Sequence, residues 1–335
     1  MNPLHAKYYA DQAVQLAVEI IENERLAKDT YRVRFRAPQI ARRIVPGQFV
    51  MLRLADVNDP LIGRPLALYD TIDGDSGQPE MIDVVYLVKG KLTGRLWQMQ
   101  PGQRLEVWGP LGNGFVAEGR RSDGETERRW DGGVATTHHS PLTAHHSTTH
   151  SPGTTRRAFL TGPVPTEHLI MVAGGIGQTP FLALAQEALQ KRRYGDPARD
   201  VPRALHVTFC YGARSAEYLA GVEDFERLGI DVRLATDDGT RGHRGLVTDL
   251  LAEVLRGHHG KPRIVCCGPE PMMEAVAKIA RQAQVRCQVS LETPMACGVG
   301  ICFTCVAKVR QPDGTWDYKR TCVDGPVFDA ELIEW

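Results

Sequence analysis

Short apolar segments alternate with charged or Pro-Gly turns over the first third of the chain. β-Branched and apolar residues fill segments 14–21, 30–36, 48–54, 66–69, 81–89 and 105–108. A helical pattern occurs only around residues 94–99. Six closely spaced strands with so little helix predict a small antiparallel β-barrel, which we place at residues 12–117.

A different pattern begins after residue 162, where apolar strands alternate with amphipathic helices. The continuous apolar strand 168–173 is followed by a glycine-rich turn and then by a helix. That helix carries apolar residues at i, i+3, i+4, i+7 and i+8, which are Phe181, Leu184, Ala185, Ala188 and Leu189. Further strands are predicted at 205–211, 230–236, 263–267 and 284–291. This alternation indicates a doubly wound parallel sheet over residues 162–285.

Residues 118–161 separate these two regions and differ from both in composition. Ser, Thr, Gly, Arg and His dominate, and the run TTHHSPLTAHHSTTHSPGTT contains five histidines. Almost nothing in this insertion can be buried, so we expect a disordered or loosely held link. Histidines without a scaffold to fix their geometry favour a linker over a metal site.

Composition and charge narrow the class of protein. The chain has 335 residues, with forty basic and forty acidic side chains, which does not indicate a nucleic-acid partner or an anionic membrane surface. No apolar run reaches the length of a membrane span, and the N-terminus lacks a signal-peptide pattern. Eight cysteines, four of them in a recognisable spacing, fit a reducing compartment. We therefore expect a soluble cytoplasmic protein.

Four cysteines near the C-terminus carry the most specific pattern. Cys297, Cys302, Cys305 and Cys322 have the spacing C-x4-C-x2-C…C, which is typical of plant-type [2Fe–2S] sites. Gly298 and Gly300 lie between the first two cysteines, where a tight loop requires positive φ. A structural zinc site and a group of buried free thiols are the alternatives. The spacing favours an iron–sulfur cluster in a small C-terminal module, residues 286–335.

The glycine-rich turn after strand 168–173 has the chemistry of a phosphate site. A glycine turn that opens a helix presents free N–H groups and the positive end of the helix dipole. We expect Thr179 to be the N-cap of this helix and Pro180 its first residue. The other unusual loops also follow strands, and ligands of doubly wound sheets bind beyond the carboxyl ends of the strands.

The segment GRPLALY (63–69) resembles the flavin-binding segment of the ferredoxin–NADP reductase superfamily, and segments 86–93 and 109–115 extend this resemblance. It implies that an arginine grips the flavin phosphate, although Arg64 taken alone is better explained as a surface arginine on a barrel strand. Leu92 stands where the family usually has glycine, and Ala67 replaces a serine. The FAD-binding residues implied are Arg64, Pro65, Leu66, Ala67, Val85, Tyr86, Leu87, Leu92 and Thr93.

The motifs GGIGQTP, YGAR, TDDGT and CCGPEPMM resemble the pyridine-nucleotide domain of the same superfamily. The resemblance implies that NAD contacts Gly174, Gly175, Gly177, Gln178, Thr179, Arg214, Asp237 and Asp238. It also places Cys267 near the nicotinamide, whereas a small buried hydrophobe is the alternative for both Cys266 and Cys267. Arg214 would suit a 2′-phosphate as well as a pyrophosphate, so NADP stays open beside NAD.

Taken whole, the chain resembles the electron-transfer subunits of class 1B dihydroorotate dehydrogenases, most closely in the segment SLETPMACGVGICFTC (290–305). The resemblance implies an oxidoreductase of pyrimidine biosynthesis that passes electrons between NAD and an FMN-containing catalytic subunit, in a hetero-oligomer, through FAD and the cluster. The alternatives are a related subunit of the sulfide dehydrogenase or ferredoxin:NADP oxidoreductase type, a stand-alone flavin reductase, or a zinc-stabilised assembly protein without activity.

Overall fold

The N-terminal region of the computed structural model, which describes residues 10–116, 166–257 and 260–335, is a closed antiparallel barrel of six strands, as predicted. Its strands are β1 (Val14–Ala27), β2 (Thr30–Arg36), β3 (Phe49–Leu54), β4 (Arg64–Asp73), β5 (Pro79–Leu87) and β6 (Arg104–Leu111). They follow one another around the barrel in the order β1-β2-β5-β4-β3-β6. Two short helices, α1 (Pro38–Ala41) and α2 (Lys91–Leu96), join β2 to β3 and β5 to β6.

Strand β1 is longer than its hydrophobic pattern predicts. The charged run that we expected to form a turn after residue 21 continues the strand to Ala27. Glu22 lies 3.1 Å from Arg34 and Glu24 lies 2.7 Å from Arg32, both on the neighbouring strand β2. Opposite charges that face each other across two strands stabilise the pairing, so here the charges belong to the ladder.

The second region is the predicted parallel sheet with helices on both faces. Its strands are β7 (His168–Gly174), β8 (His206–Ala213), β9 (Asp231–Thr236), β10 (His243–Arg244), β11 (Pro262–Cys267) and β12 (Arg286–Ser290). Helices α3 (Phe181–Ala188) and α4 (Val222–Glu226) pack on one face, in a core that also includes Tyr69 and Phe115 of the barrel region. Helices α5 (Val247–Gly257) and α6 (Glu270–Gln282) cover the other face.

The C-terminal region forms a hairpin and then returns to the parallel sheet. The hairpin consists of β13 (Val306–Arg310) and β14 (Trp316–Arg320). Strand β15 (Val327–Asp329) then pairs antiparallel with β12, which completes the sheet order β10-β9-β8-β7-β11-β12-β15. Neither the hairpin nor this return was predicted from the sequence.

The insertion and the possible membrane spans are the two remaining predictions that concern the fold. The predicted insertion 118–161, with its histidines, lies outside the described residues. Within the described ranges, no helix combines the length and the apolar character needed to cross a membrane.

Candidate functional site

The four cysteines lie together on one loop and the turn that follows β14. Cys305 and Cys322 are buried, with their sulfur atoms 3.1 Å apart, whereas Cys302 is exposed. The loop turns tightly at Gly298 (φ +73°) and Gly300 (φ +83°), as predicted. Both glycines adopt a backbone conformation that other residues rarely take, and this lets the short segment between Cys297 and Cys302 turn tightly.

Hydrogen bonds favour the thiolate form of two of these cysteines. The bond with Cys322 lowers the pKa of Cys305 to about 6, and the same contact raises the pKa of Cys322. Burial opposes ionisation of Cys302, but contacts with Thr304 and Cys297 outweigh it and lower the pKa of Cys302 to about 6. Thiolates are the ligands that iron–sulfur clusters require, so the chemistry of this donor set fits a cluster.

The grouping of the sulfur atoms differs from that of a zinc site. A structural zinc site brings four ligands to one ion. In the part of the chain that the structure describes, no three His, Cys, Asp or Glu side chains are grouped as a single-ion site needs. The preference for a two-iron cluster over the zinc alternative therefore rests on the cysteine spacing.

The predicted flavin segment lies at the start of β4. Arg64 is exposed, and its guanidinium donates a 3.3 Å hydrogen bond to the carbonyl oxygen of Gly63. Pro65, Leu66 and Ala67 follow along β4 and are half-buried. An exposed guanidinium beside a half-buried strand suits a bound phosphate, because Arg offers a forked set of donors.

The remaining predicted flavin residues lie on β5 and in the first turn of α2. Leu92 and Tyr86 point into the barrel core, where the Tyr86 hydroxyl donates to Oδ1 of Asn23 at 2.9 Å. The Thr93 hydroxyl accepts a 2.8 Å hydrogen bond from the N–H of Lys89, so Thr93 ties the first turn of α2 to the preceding loop. Val85 is buried and Leu87 is half-buried on β5.

The predicted nucleotide residues lie at the carboxyl edge of the parallel sheet. Strands β7, β8, β9 and β11 end at Gly174, Ala213, Thr236 and Cys267, and their parallel pairing brings these ends side by side. Gly177 lies so close to β11 that a Cβ atom there would be 2.2 Å from the carbonyl oxygen of Cys267. This approach explains why the turn needs glycine at that position.

The helix start differs from the prediction at Thr179. Residues Gly175–Gln178 form a 3-10 turn, and α3 begins only at Phe181, so Thr179 is not its N-cap and Pro180 is not its first residue. Such turns are common at the start of helices, and here the approach of Gly177 to β11 tightens the chain. Thr179 and Gln178 are buried, and both amide atoms of Gln178 lack a hydrogen-bond partner within the described structure.

Three charged residues line the same edge from neighbouring loops. Arg214 follows β8, while Asp237 and Asp238 follow β9, and all three side chains are exposed. The N–H of Asp238 donates to the carbonyl oxygen of Arg214 at 3.3 Å, which joins the two loops. Hydrogen bonds from Thr240 lower the pKa of Asp238, so its carboxylate is charged at neutral pH.

Cys267 and Cys266 point to opposite faces of the sheet. Cys267 is 3% exposed and contributes to the core beneath α3, whereas Cys266 is buried in the core beneath α5 and α6. Burial raises the pKa of the Cys267 thiol, so this side chain is neutral at physiological pH. It can pack against a ligand or donate a weak hydrogen bond, but it is not prepared to act as a nucleophile.

Sequence reasoning missed the residues that join the barrel to the cysteine loop. The indole N–H of Trp108 on β6 donates to the carbonyl oxygen of Cys297 at 3.0 Å. Met51 on β3 is fully buried, and a Cβ atom at Gly298 would lie 2.5 Å from its Cγ. The apolar run Phe49–Leu52 at the start of β3 was the available signal, because a strand segment that is apolar on both faces is covered on both faces.

Hydrogen bonds also hold β4, which carries part of the predicted flavin segment, against the helices of the parallel sheet. The Tyr69 hydroxyl donates to Oδ2 of Asp224 in α4 at 2.5 Å. Asp70 accepts from the Tyr194 hydroxyl at 2.9 Å and from Nε2 of Gln186 in α3 at 2.8 Å. The strand that carries the predicted flavin residues is therefore joined by hydrogen bonds to helices of the region that carries the predicted nucleotide residues.

Comparison with known families assigns each region. Residues 17–115 match the oxidoreductase FAD-binding domain, and residues 171–278 match the oxidoreductase NAD-binding domain. Residues 292–334 match the iron-sulfur cluster binding domain of dihydroorotate dehydrogenase B. The protein is thus an oxidoreductase with FAD-binding, NAD-binding and cluster-binding domains.

Curated relatives extend over nearly the whole chain. The dihydroorotate dehydrogenase B (NAD(+)) electron transfer subunit of Desulforamulus reducens is 31% identical over 92% of this chain and 94% of its own length. The subunit of the same name from Caldanaerobacter subterraneus is 31% identical over 95% of this chain and 98% of its own length. Among solved structures, an NADH-dependent reduced ferredoxin-NADP oxidoreductase is similar in fold, with a TM-score of 0.66, 24% identity, and coverage of 95% of this chain and 90% of that chain.

Proposed function

Because the chain belongs to the family of dihydroorotate dehydrogenase B (NAD+) electron transfer subunits, we propose that it passes electrons between NAD and an FMN-containing catalytic subunit that oxidises dihydroorotate. The observation that carries this proposal is the 31% identity over 92% of the chain, across all three binding domains. A bound flavin supplies the link between two-electron hydride chemistry and the one-electron chemistry of a cluster. The protein then acts in pyrimidine biosynthesis, inside the cell.

The residues of the chain divide this task between three sites. Arg64 and the first turn of α2 hold the flavin phosphates, while the half-buried residues Pro65 to Ala67 line the flavin ring. The glycine turn after β7 holds the NAD pyrophosphate, and Cys267 packs near the nicotinamide. The exposed carboxylates of Asp237 and Asp238 would repel a 2′-phosphate, which favours NAD over NADP.

The four cysteines hold the cluster at the surface that faces the catalytic subunit. Cys302 is exposed, and the side chains on either side of it, Ile301 and Phe303, are 69% and 63% exposed. Large apolar side chains around an exposed ligand suit a protein interface, because their burial stabilises the complex. We therefore place the contact with the catalytic subunit at Ile301, Cys302 and Phe303. The two subunits would then form a hetero-oligomer.

The pathway assignment is tested by anaerobic native purification from the source cell, followed by an assay for NAD reduction that depends on dihydroorotate. We expect an FMN protein to co-purify and orotate to form, with NAD preferred to NADP. If another redox protein co-purifies, or if the chain alone is fully active with NAD(P)H, the assignment to pyrimidine biosynthesis is wrong.

Substitution of Cys302 by Ser tests the relay within the chain. Cys302→Ser removes a cluster ligand, so we expect it to abolish electron transfer to the partner while NADH-dependent dye reduction at the flavin continues. Both activities are measured on the reconstituted complex. Cys287→Ala is the matched control, since Cys287 is a buried thiol of β12 outside the cysteine loop, and it should keep both. Full orotate production by Cys302→Ser would contradict the relay.

A further inference from the structure

Three residues form a row across the outer face of the barrel. Met51 of β3 lies directly opposite Trp108 of β6 on one side and opposite Pro65 of β4 on the other. Residues directly opposite one another on neighbouring strands point to the same face of the sheet. The neighbour Leu52 points into the barrel core, so the row Trp108–Met51–Pro65 faces outward.

The cysteine loop rests on one end of this row. Trp108 donates its indole N–H to the carbonyl oxygen of Cys297 at 3.0 Å. The backbone of the next residue, Gly298, lies against Met51, and a Cβ atom there would approach Cγ of Met51 to 2.5 Å and Cδ1 of Leu111 to 3.1 Å. The loop therefore packs directly on the row without an intervening side chain of its own.

The predicted flavin segment lies against the same indole. A Cβ atom at Gly63 would be 2.8 Å from Cη2 of Trp108, so the far edge of the indole packs on the backbone of Gly63. Gly63 immediately precedes Arg64, and Pro65 is the member of the row on that strand. One side chain thus contacts the backbone before the phosphate-binding arginine and the backbone of a cluster ligand.

From these contacts we propose that Trp108 is a positioning residue that couples the two cofactor sites, so that FAD and the cluster each bind more tightly when the other is present. The inference rests on the proposed function, because it requires FAD at β4 and a cluster at the cysteines. Close-packed groups have few alternative arrangements, so a loop fixed by its cluster holds the indole, and the indole in turn holds Gly63 and Arg64. By thermodynamic linkage, the coupling must be equal in both directions.

The experiment measures FAD affinity of the full chain with and without the cluster. The dissociation constant of FAD is measured anaerobically from the change in flavin fluorescence, first in cluster-loaded protein and then in protein from which a chelator has removed iron under reducing conditions. In the unmodified chain we expect FAD to bind at least about 5-fold more tightly with the cluster present. Trp108→Phe removes the N–H and the far edge of the indole, so this ratio should fall towards one.

Trp316→Phe is the matched control. Trp316 is 48% exposed on the hairpin and packs with Tyr318 and Lys308, so the same chemical change there should leave the ratio as in the unmodified chain. A merely structural role of Trp108 would lower stability without changing the ratio. A ratio of one in the unmodified chain, or an unchanged ratio in Trp108→Phe, overturns the inference.

Gly63→Ala tests the coupling from the flavin side without a substitution in the cysteine loop. The added methyl group would displace the indole, so in the presence of FAD we expect iron to be released to a chelator at least about 5-fold faster than from the unmodified chain. An unchanged release rate overturns the inference. A chain that binds neither FAD nor iron overturns the proposed function as well, whereas independent binding of both overturns the coupling alone.

Discussion

Gly177 has no room for a side chain, because β11 passes directly beside it. A Cβ atom would lie 2.2 Å from the carbonyl oxygen of Cys267 and 2.7 Å from the N–H nitrogen of Gly268, and neither backbone atom can move away cheaply. We predict that Gly177→Ala shifts the glycine turn and weakens NADH binding by about 10-fold or more, since the phosphate donors are backbone N–H groups of this turn. Titration of NADH against the purified protein measures this effect.

The control for that substitution is Gly257→Ala at the end of α5, where an added Cβ meets no atom within 4 Å. It should leave the dissociation constant of NADH unchanged. Equal affinity of the Gly177→Ala variant and the unmodified chain would show that the turn does not hold the nucleotide.

At the scale of single residues, the sequence is most informative where the backbone geometry can be adopted by only one type of residue. The positive φ of Gly298 and Gly300 was predictable, because a loop with three close ligands must turn tightly. The outward position of Trp108 and its bond to Cys297 were not, because a long-range hydrogen bond leaves no local pattern. The start of α3 was mispredicted at Thr179 for the same reason, since the tight turn depends on a distant strand.

At the scale of elements, β4 is joined through Asp70 to α3 and to the segment that follows α3. Burial raises the pKa of the Asp70 carboxyl, and hydrogen bonds from Gln186 and Tyr194 partly offset this effect. A carboxyl whose pKa is higher in the folded state than in the unfolded state stabilises the fold most at low pH. That stability is lost as the pH rises from about 4 through the folded pKa.

Tyr194→Phe removes one donor to Asp70 and should therefore raise this pKa further. We predict that the free energy of unfolding falls by about 1.5–3 kcal/mol at pH 7, and by less below about pH 4, as the carboxyl becomes protonated. Urea unfolding at the two pH values measures the difference. Tyr318→Phe is the control, because Tyr318 is 53% exposed on the hairpin, and it should change neither value. A loss that is equal at both pH values would contradict the role assigned to the carboxylate.

The strands themselves were largely predictable, and their exceptions have physical causes. Apolar runs marked β7 and β11 well because parallel strands are buried on both faces. The extension of β1 was hidden because its charges pair with Arg32 and Arg34 of another strand. Only Val309 is buried in the two strands of the hairpin β13–β14, so they have no regular hydrophobic pattern to reveal them.

At the scale of the whole molecule, Asn113 joins the end of the barrel to the C-terminal region. Its side chain accepts from the N–H of Val327 at 2.9 Å and donates to the carbonyl oxygen of the same residue at 2.8 Å. We predict that Asn113→Ala lowers the free energy of unfolding by about 1–3 kcal/mol, because it leaves buried backbone groups unpaired. Since Cys322 lies in the same region, the variant should also lose iron to a chelator faster than the unmodified chain.

Asn58→Ala provides the comparison, because Asn58 is exposed on the loop between β3 and β4. It should affect neither stability nor iron release. Unchanged iron release from Asn113→Ala would mean that the cysteines hold their positions without this contact.

The order of the three binding domains could be predicted from the sequence, whereas the way they join could not. The cysteine spacing and the glycine turn are local motifs, so each was visible within a few residues. The contacts that unite the domains, such as Tyr69 with Asp224 and Asn113 with Val327, link residues far apart in the chain. The domain boundaries that we place at residues 117, 161 and 285 stay predictions.

The bond between Asn113 and Val327 has a consequence for biogenesis, because it spans 214 positions of sequence. The ribosome synthesises the barrel strands long before it makes β15. The outer face of the barrel therefore stays uncovered until the C-terminal region has been made. The last cysteine of the cluster arrives in the same late stretch as Val327. We therefore expect iron insertion to require synthesis beyond Cys322, and chains that terminate before it to expose Met51 and Trp108 to chaperones and proteases.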